Sequence, residues 1–271
     1  MNAGMLSRIR LLNYNLLYPY EWPLSGPYQA SVEMDRSSVV RHPFPVMHVD
    51  QGRYLLLDGS PLFSRMADFG LPHVPVQICS QEDIRVVTEQ LGLVGIVASD
   101  LEEMADHFPE QLVVAGADEQ APSGYLTIDF TFEEGVSSKL FLRQTNCSGC
   151  PEALQRVFRT IEEKGRYLPL LRGALREGSL FKTATLSGTM KLPQFKISDV
   201  AGAVTSGQLF PPNVLSVLSN SRVFSIDFPL SVLRSGIPVE EKEAFLRDLI
   251  AYREQSHKTT FFEGQIYFLN R

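Results

Sequence analysis

The sequence predicts an α/β chain of the α+β kind, in two parts, and three observations carry that prediction. Residues 41–76 read as strand, turn, strand, capped helix and strand in succession. Apolar residues at helical spacing in 151–166 and 240–255 are set among strand-like apolar runs at 125–132 and 223–228. The composition, 44% hydrophobic and 21% charged, is that of a chain able to bury a core, so disorder is not expected.

The elements follow in order. Residues 7–17 suggest a strand through Ile9, Leu11 and Leu12. Residues 18–23, rich in proline and aromatics, are expected to form a shaped loop, because proline resists regular pairing. Residues 31–40 fit a short helix stopped by Arg41-His42-Pro43. Residues 44–49 and 54–57 then form a hairpin about Gln51-Gly52. In Asp58-Gly59-Ser60-Pro61, Ser60 is a good N-cap and Pro61 suits the first helical position. Leu62, Phe63, Met66 and Phe69 continue at helical spacing, and Gly70 is the expected stop. A strand at 74–78 completes the unit. Residues 81–112 read as helical pieces, including 100–108. Strands at 112–115 and 125–132 flank a loop, 116–124, that is the best linker candidate. The expected division is therefore 1–115 and 116–271, the second part completing the cleft. The helix at 151–166 is expected to extend through 168–176. A helix at 197–206, the strand at 223–228, the helix at 240–255 and a last strand at 264–269 finish the chain.

Charge and cysteine content restrict the function classes. The 271-residue chain carries a net charge of −6 and no basic run, which argues against broad nucleic-acid binding. No stretch approaches the roughly 18 apolar residues of a membrane span. The first ten residues lack the apolar run of a signal peptide. Three cysteines are an odd number at low density, which fits a reducing compartment. The expected location is the cytoplasm.

Three groups of residues bear on chemistry. A strand entering a helix through Asp58-Gly59-Ser60-Pro61 aims backbone N–H groups and the positive helix end at one point, a geometry that binds phosphate or carboxylate. Asp58 suits Mg²⁺ or a hydroxyl. An ordinary capped helix start explains the same residues. Cys147 and Cys150 are spaced for redox chemistry or half of a zinc site, but Cys79 is distant and no second C-x-x-C exists, so two unpaired thiols are the simpler reading. No histidine pair stands at i, i+4 among His42, His48, His73, His107 and His257. The phosphate-loop, nucleophile-elbow and zincin signatures are all absent.

The segment Arg41-His42-Pro43, Gly52-Arg53-Tyr54-Leu55-Leu56-Leu57-Asp58-Gly59, Phe69-Gly70 and Val74-Pro75-Val76 resembles the ParB/sulfiredoxin-like fold, and within it the free L-serine kinases. Ser198-Asp199-Val200, Gly207-Gln208-Leu209-Phe210-Pro211-Pro212, Arg222-Val223 and Phe228-Pro229-Leu230 continue the likeness. The resemblance implies a ParB/sulfiredoxin-like N-terminal core with a mixed α/β C-terminal part. It implies a site with Glu21 and Asp58 as catalytic positions, and Gly59, Ser60, Arg41, His42 and Arg222 as nucleotide and phosphate contacts. It further implies Mg²⁺ with ATP or ADP, O-phosphoserine as product, and a setting among siderophore or specialised-metabolite genes. Its archaeal members use ADP, and a staphylococcal siderophore-cluster member doubles as a haem-responsive regulator.

The departures are specific. Where the family reads Asp-Gly-x-His-Arg, this chain has Pro61 and Leu62. Its double proline runs on as Asn213-Val214-Leu215-Ser216-Val217, without the family's cations. Each charge-stabilising group removed from a transfer site costs about 2.7–4 kcal/mol of transition-state stabilisation. The expectation is a degenerate kinase fold, a pseudoenzyme binding a small ligand or a protein partner. An active serine phosphotransferase, with Lys182, Lys191 or Arg222 replacing the lost charge, and an effector-sensing regulator are the alternatives. Apolar residues in 210–230 leave room for a homodimer surface.

Overall fold

The computed structural model describes residues 8–22, 38–60, 62–63, 66, 69–133, 135–143, 150–170, 186–255 and 261–263. In chain order its strands and helices begin β1 (Ile9–Asn13), β2 (Leu17–Pro19), β3 (Val39–Val40), β4 (Phe44–Asp50), β5 (Arg53–Leu56), β6 (His73–Ile78), β7 (Ile84–Thr88) and β8 (Gln90–Val94). They continue with α1 (Ala98–His107), β9 (Leu112–Gly116), β10 (Tyr125–Phe132), β11 (Ser137–Arg143), α2 (Cys150–Lys164), β12 (Arg166–Pro169), β13 (Gly188–Lys191) and α3 (Ile197–Thr205). The last are β14 (Leu215–Ser219), β15 (Ser221–Val223), β16 (Phe228–Pro229), α4 (Leu230–Arg234), α5 (Val239–Gln255) and β17 (Phe261–Glu263). The α+β class expected from the sequence is the class observed.

The chain forms two compact units, one of Met1–Arg85 with Val217–Arg271 and one of Val86–Ser216. The division expected at 115/116 therefore falls inside the second unit, and the loop after β9 is not a linker. It joins β9 and β10, which flank β11 in one sheet. Loop-like composition marks a sheet connection as readily as a domain boundary.

The first unit is built on a mixed five-stranded sheet, β1-β6-β4-β5-β2. Gln51 at φ 38° and Gly52 at φ 79° make the turn of the expected β4–β5 hairpin. Pro19, expected in a loop, instead lies in β2 opposite Leu56. Because β2 is the sheet's edge, one side of this proline needs no ladder partner. Val39 and Val40, expected as the end of a helix, pair as β3 with Pro229 and Phe228; most of that proposed helix lies outside the described residues, as does the strand expected at 264–269. The described residues up to Arg85 do not complete a core alone. Val223, Ile226, Phe228, Leu230, Leu233, Leu246 and Ile250 join Phe44, Val46, Leu56, Phe63, Met66 and Val76 in one apolar cluster.

The second unit holds an antiparallel six-stranded sheet, β12-β8-β13-β10-β11-β9. Helix α2 buries Ala153, Leu154, Val157, Phe158 and Ile161, one helical face. Residues 84–94, expected helical, are strands: the β-branched Ile84, Val86, Val87 and Thr88 suit β7, and β8 is held by pairing with β12 and β13, remote in sequence. Where α2 was expected to extend, Arg166–Pro169 form β12, and 171–176 lie outside the described residues. A Cβ at Gly165 would collide with the Val94 carbonyl oxygen, so the backbone turns there against β8. The apolar residues of 210–230 are spent internally: Phe210, Val214, Leu215, Val217, Val223, Phe224, Ile226, Phe228 and Leu230 are all buried, which removes the basis for a dimer surface there. No helix among the described residues is long and apolar enough to cross a membrane.

Candidate functional site

The site is assembled in the first unit, where β5 ends. Leu57 N–H still pairs with the Pro45 carbonyl at 2.9 Å, and Asp58 follows outside the ladder. Gly59 adopts φ +86°, and a Cβ there would meet the Phe44 ring at 3.1 Å. Backbone conformation and the neighbouring ring thus both require glycine. The Gly59 carbonyl accepts from Phe63 N–H at 2.8 Å, the first helical bond. Gly59, and not Ser60 as expected, therefore takes the cap position, and Ser60 is the first helical residue, 5% exposed.

Asp58 uses both carboxylate oxygens. Oδ1 accepts from Gly59 N–H at 2.6 Å, and Oδ2 meets Arg222 Nη1 at 2.6 Å. Arg222 comes from β15, 164 residues away. Its strand is pinned by Gln77, 2% exposed, whose Oε1 accepts from Val223 N–H at 2.8 Å. The guanidinium carbon lies 5.2 Å from the Phe224 ring centre, within cation–π range. His42 meets the same ring edge-on, at 5.3 Å and 77°. Its Nδ1 accepts from Ser225 N–H at 3.0 Å. A backbone N–H can only donate, so the neutral ring carries its proton on Nε2. Burial, and then the charges of Arg222 and Arg41, hold His42 below the ordinary histidine pKa. The ring is thus neutral at pH 7.

The remaining expected positions lie close in charge. Arg41 is exposed, and its carbonyl accepts from Asp227 N–H at 3.2 Å. Glu21 follows Tyr20, which is buried; burial, then the charges of Glu21 and Asp58, raise the Tyr20 pKa well above its usual value. Asp58, Gly59, Arg222 and His42 therefore form one linked cluster, with Arg41 acting on His42 and Glu21 reaching the cluster through Tyr20. Of the three candidate replacement cations, Arg222 is at the loop, Lys191 is an exposed residue of β13 in the second unit, and Lys182 lies outside the described residues. Leu62, at a position where a family cation would stand, packs against the apolar core.

Gln77, Tyr20 and Phe224 were not singled out from the sequence. Tyr20 carried a signal, a polar-tipped aromatic beside Glu21 in a proline-rich stretch; the other two act only through tertiary contacts. Cys79 is buried, accepts from Ser219 Oγ at 3.5 Å, and burial raises its thiol pKa, the opposite of the lowered pKa that a reactive thiolate needs. Cys147 lies outside the described residues and Cys150 opens α2. No group of three potential ligands for a metal occurs among the described residues.

The chain has the fold of solved free serine kinases and of SbnI. SbnI with C-terminal truncation, from Staphylococcus aureus, superposes with a TM-score of 0.72 at 16% identity, covering 94% of this chain and 100% of that one. A free serine kinase in complex with AMP gives 0.62 at 18% identity over 83% and 93%. A mutant free serine kinase in complex with ADP gives 0.58 at 16% over 83% and 94%. No family model matches the chain, and no curated protein does. At such identities the likeness is one of fold.

Proposed function

We propose that the Asp58–Arg222 loop holds the phosphate groups of a nucleotide, and that the chain is a divergent relative of the free serine kinases whose phosphoryl transfer is weakened or lost. The observation that carries the reading is the pairing of Arg222 with Asp58 at the Gly59 turn. A guanidinium, an exposed carboxylate and a helix entrance converge where a phosphate would sit. The solved structures of kinases of this fold with AMP or ADP bound support a nucleotide as the ligand.

The weakened chemistry follows from charge. Phosphoryl transfer depends on positioning and on neutralising the developing charge. Here Leu62 is apolar and packed inward, and His42 is neutral. Arg222 and Arg41 supply positive charge, and Asp58 already offsets the former. Mg²⁺ arriving with ATP or ADP would bring the remaining neutralisation. The chain would then act as a ligand- or partner-binding protein, in a siderophore or specialised-metabolite setting.

One observation favours a second reading, an active serine phosphotransferase. Glu21 and Asp58 both act on the Tyr20 hydroxyl, so a base and a metal-suited carboxylate share one neighbourhood. Calorimetric titration with AMP, ADP and ATP, paired with mass-spectrometric detection of phosphoserine, separates the two. The proposal expects saturable nucleotide binding and phosphoserine formation absent or slower than about 1 s⁻¹. Turnover of about 1 s⁻¹ or faster, at the low end of ordinary enzymes, that is lost in Glu21→Gln would overturn it in favour of the second.

A further inference from the structure

Strands β10 and β13 diverge within the second unit, and the opening beside them is a cavity of about 700 Å³, a size usual for ligand sites. Their ladder holds from Phe132–Gly188 to Asp129–Lys191, while β10 extends back to Tyr125 with β11 beside it. Glu133 N–H donates to the Ser187 carbonyl at 3.1 Å. Main-chain groups alternate sides along a strand, so Thr131, Asp129 and Thr127 also turn theirs towards β13. The next bonding pair would be Thr127 with Pro193, and Pro193 has no N–H to give. Its carbonyl accepts from Thr88 Oγ1 at 3.0 Å, and Gln194 Nε2 donates to the Val86 carbonyl at 2.9 Å. Both bonds tie the segment after β13 to β7, away from β10. The Thr127 N–H and carbonyl are left without a main-chain partner among the described residues.

The side chains lining the opening suit the same guest as its open edge. Tyr125, Thr127 and Asp129 stand at alternate positions of β10 and share one face of it, on the cavity. Lys191 lies directly across from Asp129 and lines the cavity with it. The two form no ion pair, and neither side chain has another partner among the described residues. An unpaired strand edge beside one acid and one base matches a peptide main chain that carries side chains of both signs. We infer that this opening takes an extended peptide segment of a partner protein, added as a short strand along Tyr125–Ile128 of β10, a stretch of about 13 Å. The Thr127 N–H and carbonyl bond the guest's main chain, as sheet edges do when they capture peptides. Asp129 receives a basic side chain and Lys191 an acidic one. Every residue of this site belongs to the second unit, and none is part of the Asp58–Arg222 cluster.

The test is titration of the full chain with two blocked pentapeptides, acetyl-Val-Lys-Val-Glu-Val-amide and acetyl-Val-Glu-Val-Lys-Val-amide, read by calorimetry and by the Thr127 amide signal in NMR. At least one is expected to bind saturably and to shift that signal. The charged residues of the bound peptide share a face with Asp129, so their N–H groups are the ones turned to β10. N-methylation of both should weaken binding about tenfold or more, the worth of two main-chain bonds, whereas N-methylation of the central valine should not. Asp129→Asn and Lys191→Met should each weaken binding about fivefold, the upper range for an exposed charge pair. Binding by neither peptide, a Thr127 signal that does not move, indifference to the paired N-methyl groups, or wild-type affinity in both variants overturns the inference. Each of these results leaves the nucleotide reading standing. A thermal melt identifies a variant that fails to fold, and the methylated peptides on the wild type then decide.

Discussion

Arg222 reaches Asp58 across 164 residues of sequence, and its position depends on three neighbours with different tasks. Gln77 fixes the strand that carries it, Phe224 supports the guanidinium plane, and Asp58 receives it. Arg222→Ala should weaken ADP binding about ten- to a hundredfold, the range of a lost charged hydrogen bond. Arg222→Lys should recover only part of this, because an ammonium cannot reproduce the planar fork. Gly59→Ala should cost about 1–2 kcal/mol in urea unfolding for its left-handed backbone, with the Phe44 contact adding to it. His42 gives a pH signature. Its folded pKa lies below the ordinary 6.5 because of burial and of Arg222 and Arg41, against smaller opposing effects of Asp227 and Asp58. The unfolded chain therefore takes up the proton first, and stability falls as pH drops below about 6.5 towards the folded pKa. His42→Gln should flatten that fall between pH 7.5 and 5.5. His73 is shifted the same way, so a residual slope should remain. At this scale the Asp58-Gly59 turn was legible, because a turn glycine and its flanking acid leave a sequence pattern, whereas Arg222 was named only through the family resemblance. Gln77 and Phe224 were not legible, since a buried amide bonded to a distant backbone leaves none.

Helix α5 decides the integrity of the first unit. Leu246 and Ile250 enter the same core as β1 and β6, while Lys242, 3% exposed, donates to the Leu233 and Ser235 carbonyls at 2.8 and 2.7 Å. Leu246→Ala should destabilise the protein by about 2–5 kcal/mol, the cost of a large truncation in a core, measurable by chemical denaturation. Both helices were legible at nearly their observed bounds, 151–166 against Cys150–Lys164 and 240–255 against Val239–Gln255. The misreadings share one cause. The strand character of 84–94 depends on pairing with partners remote in sequence, and β8 lies between β12 and β13. Local apolar content could not supply those partners. Pro19 likewise reads as a breaker until β2 is seen to be an edge.

At the scale of the molecule, the chain leaves the first unit inside β7 and re-enters it inside β14. Composition gave no sign of this, because neither crossing is a flexible linker. The consequence for folding is direct. A fragment spanning 86–216 contains the whole six-stranded sheet and should give dispersed amide signals by NMR on its own. A fragment spanning 1–85 lacks Val223, Phe228 and Leu246 from its core and should not. The same discontinuity explains how Arg222, on β15, comes to meet the Asp58 loop that follows β5. The account rests on that loop being a phosphate site built by Arg222. Calorimetric titration of ADP with Mg²⁺ into wild type and Arg222→Ala tests it most directly. The account predicts saturable binding to the wild type, weakened at least tenfold in the variant. Equal affinities in the two proteins, or no binding to the wild type, would contradict it.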